Sequence, residues 1–401
     1  MDLTLKAASR GKFAPLFIVL SACGWLPRAD VKAPRPSPVL AQEAPRESSN
    51  ARRAGRTENV VLVTIDGVRW QDVFGGVDPA MATMAGMRAD DVVDAEELMP
   101  NLYALARAGA VSGAPGHGRA MTATGPNYVS LPGYLEIFTG SRDIGCRTNR
   151  CDATKMRTFL DEARDQLAAR DEDVAVISSW DALARAASSA PHRIAMSTGR
   201  TGGVSREKVR VDDVAARLVD EGATAAAAPG DGDYRPDAYT AAIALRYLDV
   251  VRPRVLAVGL GDTDEYAHAG DYASYIQAIR RADHFLGELR IHLKQMGKYG
   301  AQTTVMVTCD HGRSSGFTDH GWDAPESGRV WLITSGGAVP ALGYLDEGGA
   351  EHLADIAPTV EALLGMAPRH ERWSGTPMAA VTQAFAAKYV GKAGGRTAAY
   401  R

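Results

Sequence analysis

The chain has 401 residues, 45% of them hydrophobic and 23% charged, with a formal net charge of -3. This is an ordinary globular composition, long enough for one large α/β domain or two modest ones. The balance of charge leaves no electrostatic footprint for nucleic acid, and no apolar run of about 18 residues reads as a membrane-spanning helix.

Lys6, Arg10 and Lys12 precede a short apolar run at 13–20, the layout of a secretory signal too short to cross a bilayer. Leu20-Ser21-Ala22-Cys23-Gly24 follows and resembles a bacterial lipobox. Residues 1–22 are therefore expected as a signal peptide, with Cys23 lipidated. By analogy Gly24 places the chain on the periplasmic face of the outer membrane. The alternative is an ordinary signal with an incidental cysteine, cleaved as late as Ala41. Residues 23–57 are rich in Pro, Ala, Arg and Ser and lack apolar periodicity, which predicts a disordered tether.

The elements then follow in order. Residues 59–70 (NVVLVTIDGVRW) read as a buried strand ending at Asp66-Gly67. Residues 99–111 read as a helix that stops near Gly109, and 132–140 as a short helix with proline at its start and glycine after its end. Strands are expected at 173–180, 254–264 and 303–310, with helices at 239–253, 271–297 and late in the chain at 353–366; RVWLITSG (329–336) continues the strand pattern. The alternation predicts a three-layer α/β/α sandwich around a mostly parallel sheet. One domain over 58–380 is expected, with 185–235 as a cap or a solvated surface insertion, and a tail at 381–401. Cys146 and Cys151 would close a small loop if bonded, which an exported compartment permits, whereas Cys309 reads as a buried apolar residue.

In such sheets ligands bind beyond the carboxyl ends of strands. The acidic residues fall there: Asp66 after one strand, Asp262 and Asp264 after another, Asp310 after a third. Asp-His-Gly occurs at 310–312 and again at 319–321. Turn chemistry explains a single such triplet, but not carboxylates converging from three strands. Divalent cations take nitrogen and oxygen ligands from several elements, and Asp264 and His268 stand one helical turn apart. Ser130 precedes a helix start, where a hydroxyl serves either as an N-cap or as an oxygen nucleophile near the positive helix end. No histidine lies near it in the chain.

The set VLVTIDGVRW, MPNLYALARAG, SLPGYLEIFTG, GDTDEYAH, TCDHGRSSGFTDHGW and DIAPTVEALLG resembles the alkaline phosphatase superfamily. It is most similar to the nucleotide pyrophosphatase/phosphodiesterase and phosphoglycerate-mutase-like branches. The resemblance spans about 59–366 and implies an alkaline-phosphatase-like fold with two divalent metals. Asp66, Ser130, Asp310 and His311 match the ligands of one metal; Asp264, His268 and His320 match those of the other. Zinc is implied, with manganese the alternative for the oxygen-richer set. Ser130 matches a nucleophile that passes through a phosphoseryl intermediate on a small phosphate ester. Asp319 has no ligand role and reads as a turn residue.

The chain departs from the diesterase pattern at Gly133, where an asparagine would donate to a phosphate oxygen. Asn127 and Arg313 are the candidate substitutes. Tyr134 breaks the sulfatase maturation signal. Monoester and diester hydrolysis both remain open, beside phosphotransfer, sulfate-ester hydrolysis and a non-catalytic envelope binding role; the retained ligands argue against the last.

Overall fold

The computed structural model describes residues 57–118, 120–346, 349–367 and 374–382. The expected signal peptide, Cys23, the tether up to 56 and the tail from 383 lie outside them. Among the described residues, no helix is long and apolar enough to cross a membrane.

Runs of β-branched and aliphatic residues make the strands, in chain order β1 (Asn59–Ile65), β2 (Gly109–Ser112), β3 (Met121–Thr122), β4 (Val174–Ser178), β5 (Ala195–Thr198), β6 (Val255–Leu260), β7 (Thr303–Thr308), β8 (Arg329–Val330), β9 (Leu332–Gly336), β10 (Gly343–Tyr344) and β11 (Glu351–His352). Eight of these described strands form one sheet in the order β10-β2-β9-β7-β1-β6-β4-β5. Pairing is parallel from β7 through β5, whereas β9 runs antiparallel to both neighbours. β3, β8 and β11 form a small second sheet.

Every residue of β1, β4, β6 and β7 is buried. These strands are covered on both faces, which is why they read as continuous apolar runs rather than alternating ones. The helices Pro100–Arg107, Asp237–Val251 and Tyr272–Gln295 pack together as one group. Ser130–Thr139, Phe159–Gln166 and Ile356–Leu363 pack as another. This is the mostly parallel α/β architecture expected.

Three local expectations are corrected. The helix expected from 132 begins at Ser130, because Pro132 is tolerated within a first turn. RVWLITSG is divided at Trp331 between the two sheets. The segment 185–235 is not simply a cap: its buried Ala195–Thr198 pairs with β4 as the sheet's edge strand.

Candidate metal centre

β6, β1 and β7 are adjacent, so their carboxyl ends deliver side chains to one place. Asp66 follows β1, the helix Asp262–His268 follows β6, and Asp310-His311 follow β7. Asp66, Asp264 and His311 can each turn one ligand atom to a common point, all such atoms lying within 4.8 Å of one another. Asp264, His268 and His320 form a second group by the same measure, so Asp264 belongs to both. Ser130 is the first residue of its helix; the N-cap is Val129 and offers no side-chain cap. The Ser130 hydroxyl is therefore not spent on capping. It donates towards Asp66 Oδ1 at 3.5 Å and lies 3.3 Å from His311 Nε2. A histidine thus does stand beside Ser130: the sheet edge closes a gap that chain distance conceals.

The histidines are oriented for metal. His311 Nδ1 lies 2.9 Å from the Gly312 carbonyl and His320 Nδ1 lies 2.7 Å from the Tyr128 carbonyl. A carbonyl only accepts, so each Nδ1 carries a proton and each Nε2 faces the site, where it can bind a cation once it holds no proton. His320 Nε2 and His268 Nε2 face each other at 3.0 Å, and His268 Nε2 is also 3.1 Å from Asp264 Oδ2.

The charges ask for a cation. Asp310 is fully buried; Oδ1 accepts from the Gly67 amide, while Oδ2 accepts no hydrogen bond. Burial, then the neighbouring Asp66, push its carboxyl well above the ordinary range. Burial would lower His311, but Asp310 and its fellow carboxylates outweigh it and hold the imidazole up at about 9. Burial would raise Asp264, yet Arg313 and the histidines keep it well below the ordinary range. Three carboxyl groups gathered in a buried pocket, one oxygen accepting no hydrogen bond, beside imidazoles whose Nε2 atoms face inward, fit divalent cations that would displace the protons held there.

Residues 234–368 match the family model described as the Metalloenzyme superfamily. That span carries Asp264, His268, Asp310, His311 and His320, but neither Asp66 nor Ser130. The 2,3-bisphosphoglycerate-independent phosphoglycerate mutases of Rippkaea orientalis and Ruegeria sp. are 29% and 31% identical over 134 and 140 residues, 30% and 33% of this chain. The chain covers only 23% and 26% of those relatives' lengths. Among solved structures, the alkaline phosphatase PafA superposes with a TM-score of 0.54 at 13% identity, covering 82% of this chain and 99% of that one. A phosphonate monoester hydrolase of Agrobacterium radiobacter gives 0.52 at 16% identity, over 86% and 79%. A 2-O GAG sulfatase gives 0.54 at 11%, over 82% and 75%. The fold is alkaline-phosphatase-like, and the span with most of the candidate ligands matches metalloenzyme-superfamily sequence.

Further residues hold this centre in place. The Tyr134 hydroxyl donates to Asp66 Oδ2 at 3.0 Å. Its place one helical turn after Ser130 was the available signal. Thr263 Oγ1 donates to the Asp66 carbonyl at 2.6 Å. Asp237 accepts from the amides of Gly261 and Asp262 at 2.8 and 3.0 Å, which fixes the start of the helix bearing Asp264 and His268. Nothing in the sequence links Asp237 to that helix.

Gly133 has a structural reason. A Cβ there would lie 2.4 Å from the Asp310 carbonyl oxygen, so the serine helix packs directly on the loop that begins at Asp310. No asparagine fits at this position. The two candidate substitutes are placed differently from expectation. Arg313 is buried, and its guanidinium donates to Asp264 and to the Phe317 and Thr318 carbonyls, so it braces Asp264. Gly67, at φ +60°, makes room for that pair: a Cβ would meet Asp264 Oδ1 at 2.3 Å. We expect Arg313→Ala to lower metal content and kcat together, as atomic absorption and kinetics would register; a rise in KM alone would restore the substrate-binding role. Asn127 Nδ2 donates to the Arg147 carbonyl at 2.6 Å, turned towards its own chain. Asp319 sits in a turn, its carbonyl accepting from the Ser314 amide and Oδ2 from Thr318 Oγ1. Cys146 and Cys151 are bonded, and Cys309 is free and buried.

Glu136, on the same helix as Ser130, is buried and accepts from Thr124 N, Thr124 Oγ1 and Ala354 N. Burial pushes its carboxyl from the ordinary 4.5 up to about 7, against the hydrogen bonds that lower it. Between those values the folded chain keeps a proton that the unfolded chain has lost. Stability from this group is therefore complete below 4.5 and is lost as pH rises to about 7, a change of about 3 kcal/mol. Urea denaturation across that window should show the loss in the wild type and a flatter profile in Glu136→Gln.

Proposed function

We propose that the protein hydrolyses phosphate esters with Ser130 as nucleophile and two divalent cations as cofactors. The observation that carries this is the position of the Ser130 hydroxyl, uncapped and within 3.5 Å of both Asp66 and His311, two members of one ligand group. Asp66, Ser130, Asp310 and His311 would hold one cation, and Asp264, His268 and His320 the other. The cations would supply Lewis-acid stabilisation of the attacking and leaving oxygens in an in-line displacement. Zinc suits the mixed histidine and carboxylate sets, with manganese as the alternative.

The chain's own residues do the rest. Asp66, fixed by Tyr134 and Thr263, and His311, fixed by the Gly312 carbonyl, orient the Ser130 oxygen towards phosphorus. The Oγ–P bond forms as the ester P–O bond breaks and the alcohol leaves. Water then cleaves the phosphoserine and restores the hydroxyl. Comparing an aryl phosphate monoester with the matching diester, on the metal-loaded chain and on Ser130→Ala, tests this. Turnover of neither ester by the wild type would overturn it.

Phosphotransfer is the second reading, favoured by the matches to phosphoglycerate mutases. It differs in the acceptor: an alcohol added to the assay would take the phosphoryl group in place of water. The basic and apolar start, the LSACG motif and the Cys146–Cys151 bond support export as a lipoprotein anchored at Cys23 on the periplasmic face of the outer membrane. Metabolic labelling with a fatty acid, lost in Cys23→Ala, tests that placement.

A further inference from the structure

The CRTNRC stretch has no place in the metal centre, yet it touches the chain on both sides of Ser130. The Cys146–Cys151 bond closes a short loop. From that loop the Arg147 carbonyl accepts from Asn127 Nδ2 at 2.6 Å, three residues before the serine. Asn149 Oδ1 accepts from the Leu131 amide at 2.9 Å, one residue after it. The first amides of a helix have no partner within it and are ordinarily met by an N-cap side chain. Val129 has no such group, and Asn149 meets one of them from 18 residues along the chain. The loop is itself anchored: Arg185 donates to the carbonyls of Asn149 and Cys151 at 3.1 and 3.0 Å, and the Thr154 amide donates to the Arg185 carbonyl at 2.7 Å.

We propose that Asn149, presented by the Cys146–Cys151 loop, is a positioning residue that fixes the first turn of the serine helix and so aims the Ser130 hydroxyl. This rests on Ser130 being the nucleophile. The Leu131 amide lies in the peptide that joins it to Ser130, so a shift of that peptide moves the hydroxyl relative to Asp66 and His311. The hydrogen bonds of Asn149 go to the Leu131 amide and to Arg185 rather than to Asp66, Asp264, His268, Asp310, His311 or His320, so the metal groups should persist without it. The disulfide holds the loop against thermal excursions that would open the bond between Asn149 and Leu131. The loop is thus a device for alignment, and its effect belongs in kcat.

The test uses the metal-loaded full chain with aryl phosphate esters, comparing wild type, Asn149→Ala and Asn149→Asp, and the wild type before and after reduction and reoxidation. Asn149→Ala should lower kcat about tenfold, with KM and bound metal unchanged and with faster hydrogen exchange at the Leu131 amide. Asn149→Asp keeps an acceptor oxygen and should return kcat to within about twofold of wild type. Reduction should lower kcat and reoxidation restore it, a test that stands even where a variant does not fold. Wild-type kcat in Asn149→Ala, or a kcat indifferent to reduction, overturns the alignment role alone. A loss of metal parallel to the loss of kcat also overturns it, because the residue would then be merely structural. Wild-type inactivity on every ester overturns the proposed hydrolysis itself, and that outcome is separate.

Discussion

Replacing Ser130 with alanine is expected to lower kcat for phosphate-ester hydrolysis by at least about 10³-fold while the chain stays folded. The side chain is nearly buried but caps nothing, and its hydroxyl makes only long contacts to Asp66 and His311. Its removal should therefore change stability by no more than about 1 kcal/mol. Bound metal should persist, because Asp66, Asp310 and His311 still supply one group and Asp264, His268 and His320 the other. Loss of turnover with metal and fold retained is the signature of a missing nucleophile. A variant that kept most of its turnover would mean that water attacks the ester directly and that the serine is only one more polar group at the sheet edge. Steady-state kinetics beside metal analysis and thermal denaturation separate the two.

Asp310→Ala and His311→Ala are expected to abolish metal-dependent activity, and Asp310→Ala adds a stability result with an informative sign. Asp310 is buried, close to Asp66, with one oxygen accepting no hydrogen bond. Without a cation its removal costs one hydrogen bond from the Gly67 amide and the attraction of His311, and relieves its repulsion with Asp66. The metal-free variant should therefore melt near the metal-free wild type. Added zinc or manganese should raise the melting temperature of the wild type, since a ligand that binds the folded state alone stabilises it by mass action. The variant should gain much less. Equal gains in both proteins, or full activity in either variant, would remove Asp310 and His311 from the centre.

How far the site was legible follows from what fixes each residue. Asp66, Asp264 and Asp310 could be found because each follows closely on a buried apolar strand, and strand ends in a parallel sheet share one edge. Asp264 and His268 could be paired because helical spacing puts them on one face. The edge strand β5 was missed because Ala195–Thr198 is short and lies in a polar stretch, so its pairing with β4 depends on the fold as a whole. Asp237 and Asn149 were missed for the same reason: each accepts amides from a segment 18 or more residues away, and neither spacing is set by any local period. Arg313 was misplaced because adjacency to Asp310-His311 says nothing about direction. The fold turns its guanidinium onto Asp264 instead. Gly133 read as a missing asparagine until its close approach to the Asp310 carbonyl gave the reason.

The most direct test of Ser130 as a nucleophile is a rapid acid quench of the metal-loaded wild type during turnover of an aryl phosphate ester, followed by peptide mass spectrometry. The account predicts one phosphoryl group on the peptide that contains Ser130, appearing within the first turnover and absent from Ser130→Ala. Full turnover with Ser130 unmodified at every quench time would contradict it.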